Sequence, residues 1–287
     1  MDRCPRRDAR YLSKPPTETG TSLFFSVSKY RWDWYNVDRT GGIPISERGH
    51  RYYDEEDFLK AYLSRRSLVD NANDTLEKPV MLELIGNPEG LRILDLGCGD
   101  ARFGAELLER NCASYTGLEG SKAMSELARR TLAGTAGTVI LGSMEDWSYP
   151  QASCDLVLSR LALHYVEHLE AVLARIVQSL KPGGRLVFSV EHPVITSTLQ
   201  PSGTRTDWTV DRYFDEGFRE QQWLGSTVKK MHRTLEHYFS ALQAAGLQVE
   251  SLRESNPVRE RFHSADAYER RRRIPLFLFF SASRPSL

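Results

Sequence analysis

Neither sign of charge is in excess: Lys plus Arg and Asp plus Glu both number 38, for a formal net charge of zero. The chain has no global field to draw it onto nucleic acid or anionic lipid, so a small molecule is the expected partner. No apolar run approaches the roughly 18 to 20 residues that cross a bilayer, and no membrane segment is expected. The N-terminus, "MDRCPRRDARYLSKPPTETG", carries charge without an adjoining apolar stretch, which reads as neither secretory signal nor anchor and points to the cytoplasm. Cysteine is scarce as well. Cys4, Cys98, Cys112 and Cys154 form no CxxC pair and no other metal-ligand spacing, and a chain of 287 residues needs no disulfide staple. Free thiols and no metal are expected.

What is present divides into three parts. Residues 1–20, rich in Pro, Arg, Thr and Ser, read as a disordered tail. Residues 21–73 read as a helical, aromatic arm or lid: "SLFFSVSKYRWDWYN" supplies Tyr30, Trp32, Trp34 and Tyr35, and "YYDEEDFLKAYL" is an amphipathic helical pattern. The arm is also a candidate oligomerisation element. Residues 74–287 read as the core, in which strand-length apolar runs ("RILDLG", "SYTGLEG", "TVILG", "CDLVLSR", "RLVFSVEH") alternate with helical patterns. Such alternation predicts βαβ units, hence a doubly wound, mostly parallel α/β sheet. The last two strands, "LQVESLRES" and "LFLFFSAS", have only the short "SADAYERRRR" pattern between them, which favours an antiparallel last strand. A polar and aromatic insertion at about 196–232 reads as a substrate lid.

In an open α/β sheet, ligands bind beyond the carboxyl ends of the strands where the strand order reverses. "RILDLGCGDARFG" places Asp95, Gly97 and Gly99 there, but Ala101 stands among them and the third glycine of a dinucleotide fingerprint is missing. A carboxylate at the strand end would repel a pyrophosphate and attract a cation. Glu119, in "YTGLEGS" with Gly120 and Ser121, follows the second strand about where an acid accepts hydrogen bonds from ribose hydroxyls. Glu119 alone does not separate NAD from S-adenosylmethionine; with Asp95 it favours S-adenosylmethionine, which has ammonium and sulfonium charges, a ribose and no phosphate.

With "ILDLGCGDARFG", "YTGLEGS", "VILGSMEDWSYPQASCDLVLSRLALHYV" and "LKPGGRLVFSVEHP" in this order, the chain resembles the class I S-adenosylmethionine-dependent methyltransferases, in their small-molecule, natural-product-type branch. The resemblance covers roughly residues 74–283. It implies a seven-stranded Rossmann-like sheet with an antiparallel strand inserted. It also implies that Asp95, Gly97 and Gly99 line the methionine end, that Glu119 with Gly120 and Ser121 binds ribose, that Met144 and Glu145 flank adenine, and that Arg160 and Leu161 face the cofactor. Ser143 stands where many members carry an aspartate.

The acceptor side is read from position. His164 in "LALHYV" and Glu191 and His192 in "SVEHP" lie at strand ends facing the ligand edge, as candidate bases or as structural residues. Tyr30, Trp34, Trp208, Tyr213 and Trp223 could wall an acceptor pocket or pack an extra layer. The run Arg270 to Arg273 reads as a solvated helix face. Methyl transfer to oxygen or nitrogen of an apolar or aromatic metabolite leads; methylation of carbon in an alkene or prenyl- or indole-type compound, with rearrangement or cyclisation, is the alternative. An NAD-dependent oxidoreductase would want the third glycine and a Tyr-x-x-x-Lys element, and a non-catalytic member of the fold would carry a damaged turn.

Overall fold

The computed structural model describes residues 49–198 and 208–286. Residues 1–48, with Tyr30, Trp34, Cys4 and the oligomerisation role considered for the arm, lie outside the described residues. A 3-10 turn at Gly49–Asp54 leads into α1 (Glu56–Arg66), and a π-helical turn at Asn73–Glu77 leads into α2 (Lys78–Ile85). The core then alternates: β1 (Arg92–Leu96), α3 (Arg102–Glu109), β2 (Ser114–Glu119), α4 (Lys122–Thr131), β3 (Thr138–Leu141), β4 (Cys154–Arg160), α5 (Leu169–Ser179) and β5 (Leu180–Glu191). A single helical turn, α6 (Pro193–Thr196), opens the insertion, whose later part is a hairpin of β6 (Gly217–Trp223) and β7 (Ser226–His232). The chain closes with α7 (Leu235–Ala244), β8 (Gln248–Glu254), α8 (Ala265–Arg271) and β9 (Phe277–Ser283).

The main sheet has seven strands in the order β3-β2-β1-β4-β5-β9-β8. Neighbours from β3 to β5 pair parallel, whereas β9 runs antiparallel to both β5 and β8, as the sequence predicts. Because side chains alternate across a strand, each central strand feeds two cores. Leu94, Leu96, Leu186, Phe188, Leu278 and Phe280 pack on the α5 and α7 side. Ile93, Tyr115, Val187, Phe277 and Phe279 pack on the α2 and α3 side. Cys98, Cys112 and Cys154 are free thiols, and no helix among the described residues is long and apolar enough to cross a membrane.

The segment before the core is bound to it by specific contacts. Asp54 accepts hydrogen bonds from the Ser121 hydroxyl at 2.7 Å and the Ala123 N–H at 3.0 Å, so it sits at the N-terminus of α4. Phe58 of α1 is buried and meets Trp223 edge-on at 5.5 Å, and the Tyr52 hydroxyl accepts from the Lys229 N–H at 3.2 Å. Helix α1 and the β6–β7 hairpin therefore share one aromatic seam.

Candidate active site

The sheet order reverses between β1 and β4, and the carboxyl ends of β1, β4 and β5 meet the amino end of β9 along one edge. A cavity of about 1250 Å³ opens there. Ordinary small-molecule sites occupy roughly 300–1,000 Å³, so this one has room for two ligands side by side.

One end of the cavity is built by the glycine turn. Gly97 has φ +76°, and a Cβ there would sit 2.5 Å from the Ala162 Cβ and 3.4 Å from the Met144 Cε. The missing side chain keeps the wall open. Glu119 braces the turn: its carboxylate accepts from the Gly99 N–H and from the Ser121 N–H, each at 2.8 Å. Burial is the chief cause that pushes Glu119 up to about 7, against the lowering effect of those backbone donors. Gly120, Met144, Glu145, Arg160 and Leu161 also line the cavity. The Arg160 guanidinium lies 4.0 Å over the Phe103 ring and pairs with the fully buried Glu77.

Four expected contacts fall elsewhere. Asp95 is buried off the cavity wall, because it shares a strand face with Ile93 rather than with Leu94 and Leu96; the Tyr115 hydroxyl donates to its Oδ2 at 2.7 Å. Its Oδ1 is buried with no hydrogen-bond partner. Ser121 caps α4, accepting from the Met124 N–H while its own hydroxyl is spent on Asp54. His192 caps α6, with Nδ1 accepting from the Val194 N–H at 3.1 Å and Nε2 on the Glu254 carboxylate at 2.8 Å, and it does not line the cavity. Tyr213 is turned away too: its hydroxyl accepts from the Leu235 N–H and its ring packs on His232. Glu145 does line the wall, but its carboxylate accepts from the Glu167 and His168 N–H groups ahead of α5.

The other end is aromatic and charged. Trp223 and Trp208 line it as expected, joined by Tyr53, Tyr62 and Tyr165, which the sequence reading left in an arm or unassigned. Tyr62 meets Tyr53 at 5.0 Å and Trp223 at 6.0 Å, both edge-on. Burial is the chief cause that raises both the Tyr53 and the Tyr165 phenol, and both stay neutral. Phe58 and Tyr62, four apart in "YYDEEDFLKAYL" and so on one helix face, with Tyr53 just ahead of the helix, were the available signal.

Behind the rings, Lys230 is almost wholly buried, pairs with the Glu191 carboxylate and sits 5.0 Å from the Trp223 ring centroid. Burial opposes ionisation of Glu191, but the charge of Lys230 and its hydrogen bond outweigh it and hold the carboxyl below its ordinary range. His164 accepts the Glu191 N–H on Nδ1 at 3.4 Å, and burial drives it down to about 3. A ring that stays neutral, with its one lone-pair nitrogen engaged, is a hydrogen-bond donor through Nε2 and a poor base.

Residues 94–188 match the methyltransferase domain family. An S-adenosylmethionine dependent methyltransferase from Mesorhizobium loti, known by crystal structure, superposes with a TM-score of 0.69 at 32% identity, covering 77% of this chain and 100% of that one. The chain belongs to the S-adenosylmethionine-dependent methyltransferases. An uncharacterised protein of Haemophilus influenzae is 30% identical over 217 residues, 70% of this chain and 85% of that one. A phthiotriol/phenolphthiotriol dimycocerosates methyltransferase of Mycobacterium ulcerans is 32% identical over 124 residues; the match spans only 42% of either chain.

The residues of this methyltransferase fit S-adenosylmethionine. The Gly97 wall, a cradle that a Cβ would fill, and the carboxylate of Glu119 on the cavity lining are the features that a ribose-bearing cationic ligand without phosphate requires. The sequence argument from Asp95 reached the right cofactor through the wrong face of β1: Asp95 acts on the turn from behind, through Tyr115, and not as a wall of the site. A Gly97→Ala substitution is expected to weaken S-adenosylhomocysteine binding roughly tenfold or more, from left-handed strain of about 1 kcal/mol plus displacement of Ala162. Gly134→Ala is the control, with φ +80° but open space for the methyl group. Equal affinity of the two variants by calorimetry would remove the crowding argument.

Proposed function

We propose that this methyltransferase acts on an oxygen or nitrogen of a small, largely aromatic or apolar molecule, and that Glu191 holds the O–H or N–H of that acceptor. The observation that carries the reading is Glu191 Oε2: it is buried, it belongs to a residue of the cavity wall, and it has no hydrogen-bond partner, while Lys230 satisfies Oε1. An unpaired buried carboxylate oxygen costs free energy unless a ligand supplies the donor.

S-adenosylmethionine, when bound, supplies a methyl group on a sulfonium centre that becomes a thioether after transfer. Gly97, Gly99 and Glu119 would hold it at the glycine-turn end of the cavity, and the methyl group would pass to the acceptor's lone pair with the carbon–sulfur electron pair left on sulfur. Glu191 takes or steers the proton released by the acceptor, and the neutral His164 ring offers an Nε2–H to the same region. Tyr53, Tyr62, Tyr165 and Trp223 exclude water and orient a planar acceptor. The two histidines thus separate: His164 is a donor at the site, and His192 has no place in the chemistry.

The test is methyl transfer to a panel of phenols, amines, indoles and alkenes, with Glu191→Gln beside the native chain. Glu191→Gln is expected to lower kcat by about 10²–10⁴-fold, the range of general acid–base catalysis, and to leave S-adenosylhomocysteine affinity unchanged. Methylation of indole or alkene carbon with phenols and amines inert would overturn the heteroatom reading, as would a Glu191→Gln variant of full activity.

A further inference from the structure

The cavity has a third component that neither cofactor binding nor Glu191 uses. Arg65 at the end of α1 and Arg270 and Arg271 at the end of α8 line it together, although they are some 200 positions apart in the chain. None of the three has a carboxylate partner or any hydrogen-bond acceptor among the described residues. Neighbouring arginines differ: Arg66 bonds Asn71 and Asp74, and Arg272 pairs with Glu269. Asp70, an acid that also lines the cavity, is committed, its oxygens accepting from the His263 and Ser264 N–H groups at 3.0 Å each. Arg271 is lowered to about 10, first by burial and then by Arg270 and Arg65, with no anion to offset them. Arg65 and Arg270 remain exposed where they border the cavity, whereas Arg271 is half-buried, so the arginine run turns its second member inward.

Half-burying the Arg271 guanidinium with two further unpaired arginines on the same wall is unfavourable unless an anion arrives, and planar guanidinium forks are matched to carboxylate and phosphate oxygens. We propose that Arg65, Arg270 and Arg271 bind an anionic oxyacid group, a carboxylate or a phosphate, carried by the methyl acceptor. The proposal rests on the reading that this cavity takes the acceptor, and it narrows the substrate class. The acceptor is a bifunctional molecule with a nucleophilic O–H or N–H for Glu191, an apolar or aromatic body for the tyrosine and tryptophan rings, and an anionic handle for the arginines. Its two ends are recognised by opposite charges, so the handle is not the methylated group.

The experiment is calorimetric. S-adenosylhomocysteine is titrated into the native chain, Arg271→Gln and Arg65→Gln; the saturated proteins are then titrated with citrate and with inorganic phosphate against sodium chloride of equal ionic strength. Saturable binding of citrate or phosphate, weakened roughly tenfold or more by either substitution with S-adenosylhomocysteine affinity unchanged, is the expected result. Which anion binds identifies the handle as carboxylate or phosphate. In a separate melt without ligand at low salt, Arg271→Gln is expected to have the higher midpoint, because it removes a half-buried uncompensated charge. Anion binding no stronger than the chloride control, or unaffected by both substitutions, overturns the proposal while leaving the methyltransferase assignment intact. Loss of S-adenosylhomocysteine affinity in Arg271→Gln also overturns it, by giving the arginines to the cofactor's own carboxylate. No binding of S-adenosylhomocysteine to the native chain would instead strike the reading on which the proposal rests.

Discussion

Glu77→Gln is expected to lower the unfolding free energy by roughly 3–5 kcal/mol, the cost of stranding one member of a buried ion pair. Glu77 is fully buried at the entrance to α2, and its Oε1 accepts from the Arg160 Nε at 3.1 Å and from the Ser189 hydroxyl at 2.7 Å. Oε2 takes the other arm of the guanidinium fork. Arg160 has little recourse to water, since its outer face is covered by the Phe103 ring. A glutamine offers one neutral acceptor in place of two charged ones, so the guanidinium is left uncompensated. The check is denaturant unfolding, where the midpoint should fall with the slope unchanged. The double replacement Glu77→Leu with Arg160→Met removes both charges and should recover most of the loss, because a buried pair stabilises little relative to apolar residues of similar volume. That double variant also isolates the role of Arg160 at the cavity. Its charge is already met by Glu77, so S-adenosylhomocysteine affinity should change by less than about tenfold. A Glu77→Gln variant as stable as the native chain would show that water or a shifted side chain satisfies Arg160.

The pair also marks where sequence reading stops. Arg160 was legible, since it ends the fourth apolar run beside "LALHYV", but its partner lies 83 positions earlier in a segment read only as the start of the core. The same limit explains the arginine cluster and the tyrosine wall, each assembled from α1 and a segment distant in the chain. Local patterns fared better. The alternation of strands and helices, the reversed last strand, the Gly97 and Gly99 turn and the position of Glu119 at the end of the second strand all depend on short-range periodicity and turn chemistry, which a single stretch of chain carries. Asp95 was misplaced through an avoidable step. A residue flanked by two inward-facing leucines points to the opposite side of the sheet, and "ILDL" therefore already sends the carboxylate toward Tyr115. Ser121 and His192 were read as ligand contacts because they stand at strand ends, where helix caps also stand, and residue type alone does not separate the two.

Raising the pH should erode the share of stability that Glu119 contributes to the empty protein, read as the difference between the native chain and Glu119→Gln, and tighten cofactor binding over the same interval. In the unfolded chain this carboxyl titrates near its ordinary 4.5; in the folded chain burial holds it protonated up to about 7. Its contribution to stability is therefore fully present below about pH 4.5 and is lost as the pH rises through 7, a loss on the order of 3 kcal/mol at 1.36 kcal/mol per unit. Ligand binding runs the other way. Ribose hydroxyls donate to a carboxylate, so S-adenosylhomocysteine selects the ionised form and expels the proton below pH 7. Affinity should be flat above about pH 7 and weaken by nearly tenfold per unit below it, with proton release visible as a buffer-dependent heat in calorimetry. Glu119→Gln carries no titrating group at this position. It should flatten the pH dependence of affinity and bind S-adenosylhomocysteine more weakly at pH 8 by about 1.5–3 kcal/mol for lost charge-assisted hydrogen bonds. The opposed signs make the result hard to imitate. General acid unfolding would weaken binding in the native chain and in Glu119→Gln alike, whereas a Glu119 that ionises only with ligand makes the native chain alone lose affinity as the pH falls, while it gains stability relative to the variant. A Glu119→Gln variant that keeps the native pH dependence of affinity would place the titrating group elsewhere.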